Sequence, residues 1–173
     1  VIRQLTEADR ESAIVLIRQF FEHQSRCVST PRIVADEEAL KTWGQWLQNP
    51  VFGCIEEGRL LGLIRFREDH GTYWIEDLIV HEEKRGSGIG GRILKWAEEW
   101  AKSRGADALY LDVVPANLEA LDFFLSHGYD LLNTIELRKS FGRTPPRAEI
   151  SFLGRRFRLH SWPADKPLPG DKI

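Results

Sequence analysis

Four glycines within six residues, Gly86, Gly88, Gly90 and Gly91, follow the apolar run Leu78-Ile79-Val80. They lead into apolar positions at helical spacing: Ile89, Ile93, Trp96 or Ala97, and Trp100. A strand, a loop and a helix are expected. Glycines in such a joint leave backbone N–H groups uncovered, and the start of a helix adds partial positive charge, so the joint suits a phosphate or pyrophosphate. A Walker A loop requires Lys-Ser or Lys-Thr after its last glycine, and Gly91 is followed by Arg92-Ile93. The dinucleotide pattern G-x-G-x-x-G is met by Gly86, Gly88 and Gly91, with Asp112 placed for a ribose. A nucleotide-cofactor oxidoreductase is therefore one reading. Against it, His81 to Arg85 separate the strand from the first glycine, and Glu76-Asp77 is costly in a buried parallel strand.

A third loop type fits with fewer conflicts. Arg85-Gly86-Ser87-Gly88-Ile89-Gly90 after Leu78-Ile79-Val80 resembles the acyl-CoA loop of the GCN5-related N-acetyltransferase (GNAT) superfamily. Asn117-Leu118-Glu119-Ala120, Phe123-Phe124 and His127-Gly128-Tyr129 are similar to that family's next segment, and the likeness spans about Ile55 to Lys139. The resemblance implies an α/β GNAT fold: a mixed, mostly antiparallel twisted sheet, flanked by helices, whose central parallel strand pair splays to admit acyl-CoA. It implies transfer of an acetyl or other short acyl group from acetyl-CoA to a primary amine of a small molecule or peptide, by direct attack and without a metal. Leu78, Ile79 and Val80 would line the pantetheine, with the Leu78 N–H at the thioester oxygen. Arg85, Gly86, Ser87, Gly88, Ile89, Gly90 and Gly91 would hold the pyrophosphate. Asn117 would bond the pantetheine arm, and Phe124 would lie beside the cofactor. Glu76-Asp77 also looks like the Ile-Glu-Asp run of the diamine acetyltransferase-like branch, which points to small cationic amines.

Acyl transfer to an amine needs a neutral nitrogen, a polarised carbonyl and a proton for the departing thiolate. Glu76 is the candidate base, because an acid inside an apolar strand is costly unless paired or used, and Asp77 is its substitute. A structural salt bridge to a nearby Arg or Lys is the competing reading of both. Neighbours in a regular strand face opposite ways, so the two acids share a face only if a bulge intervenes. Many relatives carry a tyrosine as general acid where this chain has Phe124. Tyr73, Tyr110, Tyr129, Ser126, His127 or water would have to serve, since a thiolate is a tolerable leaving group unaided. The missing hydroxyl keeps a non-catalytic acyl-CoA-binding module open as a second alternative.

The elements that must position these residues follow from composition and periodicity. The 173 residues, 42% hydrophobic, suit a core-bearing globular domain, and a net charge of −2 argues against nucleic acid or an anionic membrane as partner. No apolar run is long enough to span a bilayer, and Cys27 and Cys54 lack metal-type spacing. A reduced, cytoplasmic setting is expected, and a homodimer is compatible with it. Residues 1–140 are expected to form the acetyltransferase domain and 141–173 a C-terminal extension, a β-hairpin plus a Pro-rich tail.

Val1 to Leu5 reads as an edge strand, and Thr6 to Asp9 as a capping sequence for a helix ending before Ser25-Arg26. Asp36 is expected to cap a second helix, stopped by Asn49-Pro50. Val51 to Glu56, Leu60 to Arg67 and Thr72 to Val80 form a three-strand meander, with turns at Glu57-Gly58 and His70-Gly71. After the loop and its helix, Ala108 to Val114 is a buried parallel strand, and Leu118, Leu121 and Leu125 stripe a last helix. Leu131 to Lys139 is expected as a final antiparallel strand. Ile150 to Leu153 and Arg156 to Leu159 pair around Gly154-Arg155, in a region made basic by Arg143, Arg147, Arg155, Arg156 and Arg158.

Overall fold

In the computed structural model, which describes residues 1–27, 31–141, 148–162 and 166, the apolar runs that alternate with polar residues pair into a five-stranded sheet. Its order is β1-β2-β3-β4-β5, with β1 Ile2–Gln4, β2 Val51–Glu56, β3 Arg59–Asp69, β4 Thr72–Val80 and β5 Leu109–Leu111. All pairs are antiparallel except β4 with β5. The β2–β3 and β3–β4 turns are the expected dipeptides. Glu57 and Gly58 have φ of 50° and 76°, and His70 and Gly71 have 51° and 79°, so both turns have the backbone that matches the twist of a hairpin.

The helices are α1 Arg10–Cys27, α2 Asp36–Trp46, α3 Ile89–Lys102 and α4 Leu118–Ser126. Thr6 and Asp9 form a capping box, but it opens a single 3-10 turn, Glu7–Asp9, from which α1 continues. That helix runs past Ser25-Arg26 to Cys27. Asp36 is not the cap of α2: Ala35 holds that position, and the Asp36 carboxylate instead pairs with Arg18 of α1 at 2.7 Å.

Two compact units result, one of residues 1–23 and 33–112, the other of residues 24–32 and 113–173. In the first, Leu63 and Ile79 are register partners and join Ala13, Leu16 and Ile17 of α1 and Ala39 and Trp43 of α2 in one buried cluster. Residues two apart along a strand share a face, so Phe66 turns the other way, where its ring stacks on Trp100 of α3 at 4.4 Å. Phe52 meets Trp96 and Trp100 on that side, and Ile93, Leu94 and Ala97 are buried. Each face of the sheet is thus closed by an apolar helix stripe, at roughly 25 cal/mol per Å² of apolar area removed from water.

Two expected strands come out differently. β5 covers only Leu109–Leu111 rather than 108–114, and its residues are half-buried, because no strand lies on its far side among the described residues. Leu131 to Lys139 is not a strand. The segment has the period of one, yet no ladder partner among the described residues, and Leu131 and Leu137 stay 89% and 73% exposed.

In the second unit, Asn117 caps α4, and β6 Ala148–Phe152 pairs with β7 Arg155–Leu159 in a two-stranded sheet. Its turn is Leu153-Gly154, one residue earlier than expected, with φ of 50° and 69°. The leucine stripe of α4 is not buried: Leu121 and Leu125 are 37% and 47% exposed. The expected loop at 142–146, Arg143, Arg147 and nearly all of the Pro-rich tail fall outside the described residues.

Candidate active site

The glycine joint is built as its composition requires. β4 ends at Val80, a 3-10 turn spans Glu82–Lys84, and α3 starts at Ile89 with Gly88 as its cap. Gly86 and Gly88 take φ of 73° and 82°, a left-handed backbone that would strain any side chain, although nothing lies within 4 Å of where a Cβ would sit. Between them, Ser87 N–H and its hydroxyl both turn back to the Lys84 carbonyl, the hydroxyl at 2.6 Å. Among the described residues no acceptor meets the amides of Gly86, Gly88, Ile89, Gly90 and Gly91. The last four open a helix whose first-turn donors have no partner within it. Gly86, Ser87 and Gly88 are exposed, so these donors are open to an anion.

Helix α1 braces this joint. Gln19 Oε1 accepts the Glu82 N–H at 3.1 Å, and His23 Nδ1 lies 3.4 Å from Arg85 Nη1. Arg85 Nε also reaches the Val80 carbonyl, at 3.5 Å. Its guanidinium is therefore tied to protein on one side of the loop.

The main chain of β4 supplies a second feature. His81 N–H donates to the Leu61 carbonyl at 2.9 Å, which fixes the alternation of the antiparallel ladder. Counting back, residues 79 and 77 bond to β3, while Leu78 and Val80 direct their N–H and C=O groups to the opposite side. On that side β5 pairs only with Tyr73, Trp74 and Ile75. Among the described residues the edge of β4 from Leu78 to Val80 is thus a strand edge without a strand, next to the glycine joint.

The acidic pair lies on one face. The β3–β4 register steps from Arg65↔Asp77 to Phe66↔Ile75, so Glu76 is the extra residue of a β-bulge. The bulge turns both carboxylates to the α2 side of the sheet, where Arg65 meets them both: its Nη2 lies 2.6 Å from Asp77 and 3.5 Å from Glu76. Arg65 also sits 4.9 Å from the Trp46 ring centroid. Arg67 donates its Nε to Glu76 Oε1 at 2.6 Å and lies over the Trp74 ring at 4.2 Å. Asp77 is buried, and burial pushes its carboxyl above its ordinary value of 3.8, with the Arg65 charge and hydrogen bond opposing and Glu76 adding to the rise. Glu76 is the more accessible of the two acids.

Sequence reasoning missed Arg65, Arg67, Trp74 and Trp46 as neighbours of the acids, and Gln19 and His23 as braces. The run Leu63-Ile64-Arg65-Phe66-Arg67 carried a usable signal, two cations on one face of an otherwise apolar strand. The remaining candidates lie elsewhere. Tyr73 packs on Trp100 on the α3 face, and Tyr110 sits beside Trp74. Counted along β4 these positions are five and four residues before Leu78, about 13–17 Å away. In the second unit, Asn117 Oδ1 accepts the Ala120 N–H, Phe124 packs against Phe123 and Tyr129, and Ser126 and His127 bond to the Phe123 carbonyl.

Residues 17–129 match the acetyltransferase (GNAT) family. The chain belongs to that family. It is an acetyltransferase by descent, and the oxidoreductase reading of its glycines gives way to that assignment. The thialysine N-epsilon-acetyltransferase of Sus scrofa is 29% identical over 157 residues, covering 82% of this chain and 90% of that protein. The aminoalkylphosphonate N-acetyltransferase of Salmonella typhimurium is 32% identical over 82 residues, covering 44% and 53%. Among solved structures, the PaiA N-acetyltransferase of Thermoplasma acidophilum in complex with coenzyme A has a TM-score of 0.60 at 20% identity, over 74% of this chain and 87% of that one. The aminoglycoside N-acetyltransferase AAC(6')-Iy in complex with CoA has a TM-score of 0.62 at 16% identity, over 82% and 95%. These two share the GNAT fold. No helix among the described residues is long and apolar enough to cross a membrane, and none of their His, Cys, Asp and Glu side chains cluster as metal ligands.

Proposed function

We propose that this GNAT protein transfers an acetyl group from acetyl-CoA to a primary amine, with the unpaired amides of Gly86 and Gly88 to Gly91 as its diphosphate seat. The observation that carries the reading is the adjacency of three features in one compact unit: free loop amides, the strandless edge of β4 at Leu78 to Val80, and a bulge that turns Glu76 and Asp77 to one face. Bound there, acetyl-CoA supplies the acyl group and a thiolate leaving group.

The chain's own residues do the rest. Leu78 N–H points away from β3 and is a donor for charge developing on the acyl oxygen, a contribution of about 3 kcal/mol in comparable sites. Glu76 takes the proton that an ammonium must lose before its nitrogen can attack, directly or through a water. Arg65, clamped on Asp77, fixes where that carboxylate stands. Asn117 and Phe124 are assigned to the pantetheine arm. The second proton, shed by the nitrogen as the amide forms, passes to the departing thiolate through water, with no side-chain hydroxyl as general acid. The relatives that act on thialysine and on aminoalkylphosphonates support a small-molecule amine as acceptor.

The test is thiol release from acetyl-CoA across a panel of primary amines. Release that depends on an amine, and that falls roughly a hundredfold or more in Glu76→Gln, supports the assignment. Binding of CoA without release for any amine would instead leave a non-catalytic acyl-CoA module.

A further inference from the structure

The bulge aims Glu76 at the α2 side of the sheet, but it does not hold the carboxylate still. A glutamate at the surface of a strand keeps its side-chain rotations, whereas a general base has to present one oxygen to the proton it takes. Among the described residues a single short contact fixes this carboxylate: Arg67 Nε donates to Glu76 Oε1 at 2.6 Å. Oε2 has only the 3.5 Å approach of Arg65 Nη2, whose firm partner is Asp77 at 2.6 Å. A carboxylate offers about four acceptor positions, so the contact to Oε1 leaves Oε2 able to meet an amine or a water.

Arg67 is itself held. Its guanidinium carbon lies 4.2 Å from the centroid of the Trp74 ring, and Trp74 in turn packs against Tyr110, with centroids 5.4 Å apart and planes inclined by 32°. The three are register partners across β3, β4 and β5, Arg67 opposite Trp74 and Trp74 opposite Tyr110. A guanidinium stacked on an indole loses the rotation that a free arginine keeps, so its Nε–H is aimed in advance. The row that runs from Tyr110 through Trp74 to Arg67 therefore ends on one oxygen of Glu76.

From this geometry we infer that Arg67, stacked on Trp74, is a positioning residue for the acyl transfer, holding Glu76 through Oε1 so that Oε2 is the oxygen presented to the attacking amine. The inference rests on the acetyltransferase reading and deepens it. Arg67 acts through Glu76 and exchanges no proton: Glu76 Oε2 gains the proton that the ammonium loses.

The experiment is a double-mutant cycle on thiol release from acetyl-CoA, with lysine, cadaverine, aminoethylphosphonate and glucosamine as acceptors and the one turned over fastest carried through the cycle. Arg67→Met removes the donor and keeps the length of the stem. It should lower kcat about tenfold or more while KM for acetyl-CoA and for the amine stays within about twofold, since a reacting group displaced by about 1 Å can cost up to a hundredfold. Arg67→Lys, which keeps the charge but not the flat fork, should recover only part of that loss. In Glu76→Gln, removing Arg67 as well should cost less than about twofold further, because the carboxylate it orients is gone. Trp74→Leu should lower kcat in the same direction, and its effect should likewise vanish in Glu76→Gln. Equal losses from Arg67→Met in both backgrounds would show a merely structural role and overturn the inference. So would a kcat that rises in Arg67→Met, since the ion pair would then be withholding the base. A strongly impaired Glu76→Gln beside an unimpaired Arg67→Met loses the positioning role alone; no release with any acceptor loses the inference together with the acetyltransferase reading.

Discussion

At the scale of single residues, Asp77 of the site and Asp9 of the first cap titrate in opposite senses. Burial raises the native Asp77 carboxyl above 3.8, so the native state holds this proton more readily than the unfolded chain does. Its effect on stability is therefore fully favourable below 3.8 and is lost as pH rises through the raised native value. Asp9 is the reverse: the Arg3 hydrogen bond at 2.7 Å holds it below 3.8, so its contribution is complete above that value and is lost as pH falls. Urea midpoints measured across the acid range should show it. Asp77→Asn should flatten the decline on the alkaline side of 3.8, and Asp9→Asn should flatten the loss on the acid side. A steeper alkaline decline in Asp77→Asn would mean that Arg65 and not burial governs this carboxylate. The acids were legible in the sequence as costly residues in an apolar strand. Their shared orientation was not, because a bulge is set by register with β3, which no local pattern encodes.

At the scale of elements, the strand, glycine joint and helix act as one piece whose geometry depends on two left-handed glycines and on a brace from α1. Gly88→Ala forces a Cβ onto φ of 82° and should cost about 1–2 kcal/mol of stability. Because that strain falls on the first amides of α3, CoA affinity should fall more than stability alone accounts for, as fluorescence or calorimetric titration would show. The brace makes a separate prediction. Gln19→Ala removes the acceptor of the Glu82 N–H, and with His23→Ala it should weaken CoA binding several-fold while leaving the melting temperature nearly unchanged, because both contacts are exposed or half-buried. Unchanged CoA affinity in the double variant would show that the loop stands without α1. The glycine joint was readable because its own composition dictates it. Gln19 and His23 lie more than sixty residues from their partners, and nothing in the helix stripe of α1 marks them.

At the scale of the whole molecule, the loop, the open edge of β4 and the acids all belong to one compact unit, while Asn117, Phe124 and the β6–β7 hairpin belong to the other. The strand expected at Leu131 to Lys139 shows why the second unit was harder to read: alternation predicts a strand, but only a neighbour with free backbone groups makes one. This division says which part of coenzyme A should matter for stability. If the loop amides carry the ligand's charge, a ligand needs its diphosphate, and the pantetheine arm alone should do little. CoA and dephospho-CoA at about 100 times their dissociation constants should each add roughly 2.7 kcal/mol, a rise of about 5–10 °C for a chain of this size. Pantetheine at equal concentration should give almost none of that, and NAD(H), which has a diphosphate but no arm to pair along Leu78 to Val80, should fall well short of CoA. A melting scan with these four ligands reads the result directly. A shift from pantetheine equal to that from CoA would move the main anchor from the glycine joint to the β4 edge, and a larger shift from NAD(H) than from CoA would return the glycines to a dinucleotide.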